Sequence, residues 1–255
     1  MIANYHTHTP RCNHATGTED EYIKAALQAG LKTLGFSDHT PYGFPDGYYT
    51  HMRMLPQELP GYADTVRLKR KQYQGKLDIH LGLEAEYYPA YFDDLLVMLR
   101  DNGIEYLILG QHWSGNEIDE PYNGRPTESE EQLKKYCDQV IEAMNTGVFS
   151  YVAHPDLLNY VGDEKIYENH MRRLCREAVS CGIPLEINLL GLGGGRHYPA
   201  ERFWRIAAQE GNQAVLGADA HSPQMLLDKE TETFARSFAA NLGIPLMDEI
   251  TLRRI

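Results

Sequence analysis

The sequence predicts an α/β fold built around a sheet of parallel strands. Short apolar runs recur along the chain, and each is followed by a longer segment with the spacing of an amphipathic helix. Strands that alternate with helices pair in parallel, because each helix returns the chain to the starting edge of the next strand. The alternation leaves two alternatives, an open doubly wound sheet or a closed barrel. We expect a single domain spanning residues 1–255, since barrels of this size are commonly one domain.

Seven apolar runs are predicted to be strands, and seven longer segments are predicted to be helices. The strands are expected at residues 2–5, 33–37, 78–82, 106–109, 150–153, 185–188 and 214–217. The helices are expected at residues 19–29, 56–74, 88–101, 128–145, 164–181, 200–210 and 223–242. A long loop rich in Gly, Pro and Tyr lies at residues 40–55. Loops of this length inside a compact domain are commonly functional.

Several predicted helices carry recognisable start and stop signals. Thr18 with Glu21, and Thr127 with Glu130, match the capping box, in which the first side chain accepts a hydrogen bond from the backbone three residues on. Pro223 opens the last predicted helix, where its missing N–H is not needed. Glycine follows the last turn of three other helices, which is typical of a helix end.

The composition narrows the class of protein. The chain has 24 Lys and Arg residues against 36 Asp and Glu residues, a formal charge of −12, which disfavours binding to a nucleic-acid polymer. Its four cysteines form no CxxC pair, so neither a disulfide framework nor a thiolate zinc site is indicated. No apolar stretch reaches the roughly 18 residues of a membrane span, and no signal peptide is recognisable. We therefore expect a cytoplasmic protein without a membrane partner; the pattern indicates no particular oligomeric state.

Metal-ligating residues follow almost every predicted strand, at the point where the strand ends. The carboxyl ends of parallel strands form the active-site face in barrels and open sheets alike. His6 and His8 point the same way, because residues i and i+2 of a strand share a face. The residues at this rim are His6, His8, His14, His39, Glu84, His112, His154, Asp219 and His221.

This rim predicts a metal centre. Neutral imidazoles mixed with carboxylates bind zinc, manganese or iron, and at roughly three to four protein ligands per ion the rim would hold two or three divalent ions. One carboxylate would bridge neighbouring ions. Any single histidine is more often a packed or surface residue, but so many polar groups at one rim would be left unsatisfied without metal.

Other residues near these motifs receive less specific interpretations. Trp113 is expected to line the site, and Trp204 is expected to lie in the core. His80 is predicted to point to the same side of its strand as Glu84. It lies closer to the start of that strand, so we expect it to be a core residue. Cys12 is interpreted as a packing residue, not a ligand. Glu86 is interpreted as a hydrogen-bonding partner of a ligating histidine.

The order of the motifs resembles the PHP superfamily of metal-dependent phosphoesterases. The motifs HTH, a further His, DH, GLE, QH, AHPD and GADAH occur in the family's order, and the similarity spans essentially the whole chain. The resemblance implies a distorted (β/α)7 barrel with a trinuclear metal centre. It assigns His6, His8, Glu84 and Asp219 to the first metal, Glu84, His112 and His154 to the second, and His14, His39 and His221 to the third.

Within the superfamily the chain is most similar to stand-alone histidinol-phosphate phosphatases, which act in histidine biosynthesis. The similar stretches are HTHTPRCNHATGTEDEYIKAALQAGLKTLGFSDHTP, HMRMLPQELPGYADTV and EINLLGLGGGRHYP. The last stretch implies a phosphate-binding role for Arg196. We also expect His197 and Arg53, which lie in loops, to contact substrate. Family members often carry a basic residue a few positions beyond the HPD motif, where this chain has Leu-Leu-Asn-Tyr at 157–160.

These assignments predict a metal-dependent phosphomonoesterase that converts L-histidinol phosphate and water to L-histidinol and phosphate. In this hypothesis Glu84 bridges two metal ions, and a hydroxide shared by those ions attacks phosphorus in line. Arg196 offsets charge on the transferred group, and Asp219, His221 or a nearby group that contacts the ligands protonates the leaving alkoxide. The alternatives are the same chemistry on another small phosphorylated metabolite, nucleotide or phosphodiester, and a non-catalytic metal-binding protein.

Overall fold

The computed structural model describes residues 1–255 and contains a single parallel sheet, in which each strand pairs with the next one in the sequence. A parallel bridge between Thr7 and Ala220 joins the two edges of this sheet, where the backbone N–H of His8 donates to the carbonyl of Ala220 at 3.0 Å. The sheet therefore curls into a nearly closed barrel, which confirms the α/β prediction and selects the closed alternative. The strands are β1 Ala3–Asn4, β2 Thr33–His39, β3 Asp78–Ala85, β4 Tyr106–Leu109, β5 Phe149–Val152, β6 Leu185–Asn188 and β7 Ala214–Gly217.

Helices surround the sheet and lie close to their predicted positions. Two predicted helices begin with a short 3-10 turn, at Pro56–Glu58 and Pro223–Leu227, before the α-helix starts. A short additional helix that is not among the seven predicted ones forms at Leu189–Gly193. The helices are α1 Glu19–Ala29, α2 Leu59–Gln72, α3 Pro89–Asp101, α4 Glu130–Asn145, α5 Glu164–Ser180, α6 Leu189–Gly193, α7 Glu201–Glu210 and α8 Lys229–Leu242. No helix is long and apolar enough to cross a membrane.

One of the two predicted capping boxes is confirmed. Glu21 accepts from the backbone N–H of Thr18 at 2.7 Å, and the Thr18 hydroxyl accepts from that of Glu21 at 3.4 Å. The box predicted at Thr127 is wrong, because Ser129 caps α4 by accepting from the backbone N–H of Gln132 at 3.2 Å. The Thr127 hydroxyl instead accepts from the backbone N–H of Ser129 at 3.1 Å, so the helix starts later than predicted.

Alternate residues of the strands serve two cores. In β4, Leu107 and Leu109 belong to the large core between the sheet and the helices, whereas Tyr106 and Ile108 belong to a small cluster on the other face. Residues of the C-terminal segment pack on that small cluster, and Met247 donates from its backbone to the carbonyl of Ala214, the first residue of β7. The C-terminal segment thus closes the end of the barrel where the strands begin, and the opposite end is left to polar residues.

Two side-chain predictions have different outcomes in this core. Trp204 is fully buried, as expected. His80 is half-buried near the start of β3, where its Nε2 lies 3.1 Å from the Asp78 carboxylate, so the prediction of a core residue is wrong. His80 is the third residue of β3, so its ring lies near the surface at the end of the barrel where the strands begin.

Candidate metal centre

The structure brings all nine predicted rim residues together at the carboxyl ends of the strands. Six of the seven strands contribute directly or through the residues that follow them, because neighbouring parallel strands end at the same edge of the barrel. His14 is exposed and His221 is partly exposed, whereas the other members of the rim are buried. The buried members are His6, His8, His39, Glu84, His112, His154 and Asp219.

The first group of potential ligands combines two histidines of the chain's first motif with two carboxylates. Nε2 of His6 lies 3.5 Å from Oε2 of Glu84 and 3.4 Å from Oδ1 of Asp219. Nε2 of His8 lies 3.5 Å and 3.2 Å from the same two oxygens. Four donor atoms therefore surround one point.

A second group forms around the other oxygen of the same glutamate. Oε1 of Glu84 lies 2.8 Å from Nε2 of His154 and 3.6 Å from Nε2 of His112. Because its two oxygens face different groups, Glu84 occupies the position of a bridging carboxylate.

The third group lies at the more exposed edge of the rim. Ligand atoms of His14, His39 and His221 lie within 4.8 Å of one another. Nε2 of His14 faces Nε2 of His221 at 3.0 Å, while their Nδ1 atoms are held by the backbone carbonyls of Cys12 and Asp219. Cys12 is buried beside this group.

The hydrogen-bonding state of these atoms fits a metal site. Nε2 of His6, Nε2 of His8 and Oε2 of Glu84 are buried and have no hydrogen-bond partner. Buried polar atoms without partners are rare and costly. Imidazole nitrogens and carboxylate oxygens converging on one point are the donor set of zinc, manganese and iron sites, so the residues present suit such ions.

The electrostatics of the rim favour ionised carboxylates, and in the absence of metal these carboxylates outweigh burial and raise the pKa of His6 and His8 well above the usual range. Burial opposes ionisation of Glu84, but the nearby histidines hold the pKa of its carboxyl well below the usual range. His6 and His8 act in the same way on the pKa of Asp219. Burial lowers the pKa of His221 to about 4, which leaves this imidazole neutral with a free lone pair.

Two further carboxylates hold the outer nitrogens of rim histidines, and a third lies close to another. Nδ1 of His6 donates to Glu186 at 2.7 Å, and Nδ1 of His112 donates to Glu86 at 2.9 Å. A carboxylate oxygen of Asp38 lies 3.5 Å from Nδ1 of His8. A proton held on Nδ1 directs the lone pair of Nε2 toward the centre of the rim. The structure thus gives Glu86 the supporting position expected for it.

Glu186, one of these supporting carboxylates, is not among the residues that the sequence predicts for the site. Its Oε2 accepts from the backbone N–H of His154 at 3.0 Å and from the amide of Asn188 at 2.9 Å. Asn188 also donates to Asp219 at 3.1 Å. Glu186 and Asn188 are two residues apart at the end of β6, so they share a face of the strand. This is the same i, i+2 pattern that the sequence shows at His6 and His8.

The backbone around the rim is adapted to this crowding. His154 and Asp219 have positive φ angles of 29° and 47°, a conformation that costs non-glycine residues about 1–3 kcal/mol and concentrates at functional sites. Gly110 leaves room for a carboxylate, since a Cβ there would overlap Oε1 of Glu84. Gly217 does the same for Glu186.

A cavity of about 300 Å³ opens onto the rim. Arg196 lies on its wall, and one of its guanidinium N–H groups donates to the hydroxyl of Tyr198 at 2.6 Å. Trp113 also lines the cavity, as the sequence predicts. The lining residues outside the rim are Met52, Trp113, Tyr122, Leu190, Arg196 and Tyr198.

Two residues predicted to contact substrate do not line this cavity. Arg53 is buried, and Glu86 and Glu117 surround its guanidinium. His197 is half-buried, and its Nε2 donates to the carbonyl of Leu157 at 2.7 Å. Both side chains satisfy their polar atoms within the protein, so the prediction that they contact substrate is corrected.

The segment that departs from the family pattern is part of the core. Leu157, Leu158 and Tyr160 are each buried, with 1% of their surface exposed. A basic side chain at these positions would have to enter the interior, which is costly without a partner. Arg196 is thus the only cation on the cavity wall.

Comparison with known proteins agrees with this geometry. The family model named PHP domain matches residues 4–189, and the chain belongs to this family. It is 33% identical over 231 residues to a protein of Deinococcus radiodurans named probable histidinol-phosphatase, covering 87% of each chain. A Schizosaccharomyces pombe protein of the same name is 24% identical over 255 residues, covering 89% of this chain and 82% of its own.

A solved structure shares the fold. The histidinol phosphate phosphatase of Lactococcus lactis, crystallised with zinc, L-histidinol and phosphate, superposes with a TM-score of 0.76 at 17% identity. The superposition covers 98% of this chain and 97% of the other. This similarity supports the seven-stranded barrel.

Proposed function

We propose that this protein is a metal-dependent histidinol-phosphate phosphatase, which hydrolyses L-histidinol phosphate to L-histidinol and phosphate. The observation that carries the proposal is the buried cluster of unpaired imidazole nitrogens and carboxylate oxygens beneath the cavity that Arg196 lines. Two relatives that align over most of the chain carry the histidinol-phosphatase name. We further propose that the reaction belongs to histidine biosynthesis in the cytoplasm.

The three groups of donor atoms would hold two to three divalent ions, with Glu84 shared between the first two. Zinc, manganese and iron each suit this ligand chemistry. When bound, such ions would polarise the phosphoryl oxygens and lower the pKa of a coordinated water. The proposed ligands are His6, His8, His14, His39, Glu84, His112, His154, Asp219 and His221.

The residues of the wall would bind and orient the substrate. Arg196 would donate to the phosphate and offset the charge that accumulates on the transferred group. Trp113, Tyr122 and Tyr198 would pack against the organic part and limit the access of water. Asp219, which is ionised, or His221, which is neutral, would first take a proton from the attacking water and then give it to the leaving alkoxide.

The size and charge of the site favour a small substrate. A cavity of about 300 Å³ is at the lower end of the range for small-molecule sites. The protein carries a net charge of −12, which disfavours a polynucleotide and tolerates the ammonium group of histidinol phosphate.

The test is steady-state hydrolysis of histidinol phosphate beside sugar phosphates, nucleotides and a bis-aryl phosphodiester, with metal content measured on the same sample. We expect histidinol phosphate to exceed the other substrates by about 10³-fold in kcat/KM, equivalent to about 4 kcal/mol. Preference for the diester, or equally weak hydrolysis of all monoesters, would contradict the substrate assignment. Activity that survives complete chelation would contradict the role of metal.

A further inference from the structure

Arg53 is the only buried residue among the arginines and lysines of the chain. It lies in the 40–55 loop next to Met52, which lines the cavity. Burying a cation is unfavourable unless it is paired and hydrogen-bonded. The partners of Arg53 therefore show what its burial achieves.

The guanidinium of Arg53 connects two carboxylates from different parts of the chain. Its two terminal nitrogens donate to Glu86 at 3.2 and 3.3 Å, and one of them also donates to Glu117. The carbonyl of Thr40 accepts a further bond at 2.6 Å. Because Glu86 accepts from Nδ1 of His112, a continuous path runs from Glu117 through Arg53 and Glu86 to a residue of the rim.

The 40–55 loop also holds Glu117 directly. The hydroxyl of Tyr48 donates to the Glu117 carbonyl at 2.9 Å, and that of Thr50 donates to its side chain at 3.2 Å. The hydroxyl of Tyr49 donates to the carbonyl of Arg53 at 3.0 Å. The loop after β2 and the segment around Glu117, which follows β4, are thus joined at one buried charged cluster beneath His112.

We infer that Arg53 is a positioning residue that couples the order of these two loops to metal binding at His112. The inference rests on the proposed metal centre. A metal ion on Nε2 of His112 strengthens the hydrogen bond from Nδ1 to Glu86, and Arg53 orients that carboxylate while the loops are closed. Metal binding and loop closure share one set of contacts, so each shifts the equilibrium of the other by the same factor. Metal binding therefore favours the closed loop that carries Met52 to the cavity, and loop opening favours metal release.

The principal test is Glu117→Gln, which keeps the shape of the side chain and removes its charge. Glu120→Gln is the matched control, because Glu120 lies nearby and pairs with Lys135 at the surface. Competition with a chelator on the metal-loaded protein measures metal affinity. Chymotrypsin cleavage within residues 43–52, with zinc or manganese present and after chelation, measures loop order.

We expect Glu117→Gln to weaken the binding of one metal ion by about 10–100-fold and to reduce the protection from cleavage that metal confers. Glu120→Gln is expected to match the wild type in both measurements. Tyr48→Phe removes one bond to Glu117 from a partly exposed position, so it provides a milder variant with a smaller effect in the same direction.

The outcomes separate this inference from the proposed function. A wild-type protein that binds no metal would contradict the metal centre itself. Metal binding with the same cleavage rate in the loaded and chelated wild type would overturn the coupling alone. The coupling would also be overturned if Glu117→Gln lowered the melting temperature of the loaded and chelated forms equally and left metal affinity unchanged.

Discussion

The buried rim and the cavity wall are built in different ways. The rim residues lie at the ends of strands of one sheet, and buried carboxylates at the ends of other strands hold the outer nitrogens of His6 and His112. The wall comes largely from loops, and Arg196 is exposed and bonded only to Tyr198. The ligand geometry is therefore preorganised by the barrel, whereas the Arg196 side chain of the wall can change without disturbing it. In the function we propose, metal chemistry belongs to the first region, and choice of substrate to the second.

Glu84→Gln is expected to have the largest effect, because this side chain serves two groups of the rim at once. We expect kcat/KM to fall by ~10³-fold, about 4 kcal/mol of transition-state stabilisation, together with loss of bound metal. Steady-state kinetics and metal analysis of one sample measure both. Glu201→Gln, which alters an exposed pair with Arg205, is the control. Full metal content and activity in Glu84→Gln would remove Glu84 from the centre.

Glu186→Gln tests the support behind the rim. Its carboxylate contacts His6, the backbone of His154 and the amide of Asn188, and the neutral amide would weaken the first of these contacts. We expect metal affinity to fall by about 10–100-fold, measured by chelator competition. An unchanged affinity would mean that the strands alone are enough to orient the ligands.

Arg196→Met tests the wall separately from the rim. Loss of its charge-assisted hydrogen bonds should lower kcat/KM for phosphate monoesters by roughly tenfold, about 1.4 kcal/mol, while metal content stays at the wild-type level. Arg205→Met, on an exposed part of α7, is the matched control. If metal content fell together with activity, the two regions would not be independent.

Asp156→Asn should have the smallest effect on activity and a measurable effect on stability. Burial raises the pKa of Asp156 to about 7, so the folded protein retains a proton that the unfolded chain releases above about pH 4. Its contribution to stability is therefore full at low pH and is lost as pH rises through about 7. The stability of the Asp156→Asn variant does not fall in this way, because the asparagine side chain does not titrate.

Urea unfolding of both proteins at pH 5 and pH 8 measures the difference. We expect the unfolding free energy of the wild type, relative to Asp156→Asn, to fall by about 2 kcal/mol between the two values. Asn retains an acceptor for the backbone N–H of Ala200, which Asp156 now binds. A relative stability that does not change with pH would contradict the perturbed carboxyl.

Much of the fold and of the rim follows from local sequence patterns. Strand ends and helix starts are signalled by neighbouring residues, so the seven βα units and the motif residues are recognisable without contacts. The buried hydrogen bonds that hold these residues in place join distant parts of the chain. The partners of Arg53, Glu86 and Glu117, lie 33 and 64 positions away, and His197 binds a carbonyl 40 positions away. Such pairings decide whether a loop cation faces substrate or the interior, and no local pattern reports them.

The central claim is that the rim is a metal centre shared through Glu84. Anomalous diffraction from crystals of the protein grown with zinc or manganese tests it most directly. We expect one peak among His6, His8, Asp219 and Glu84, and a second among Glu84, His112 and His154. A third peak is expected beside His14 and His221. A map with no peak within coordination distance of Glu84 would contradict the claim.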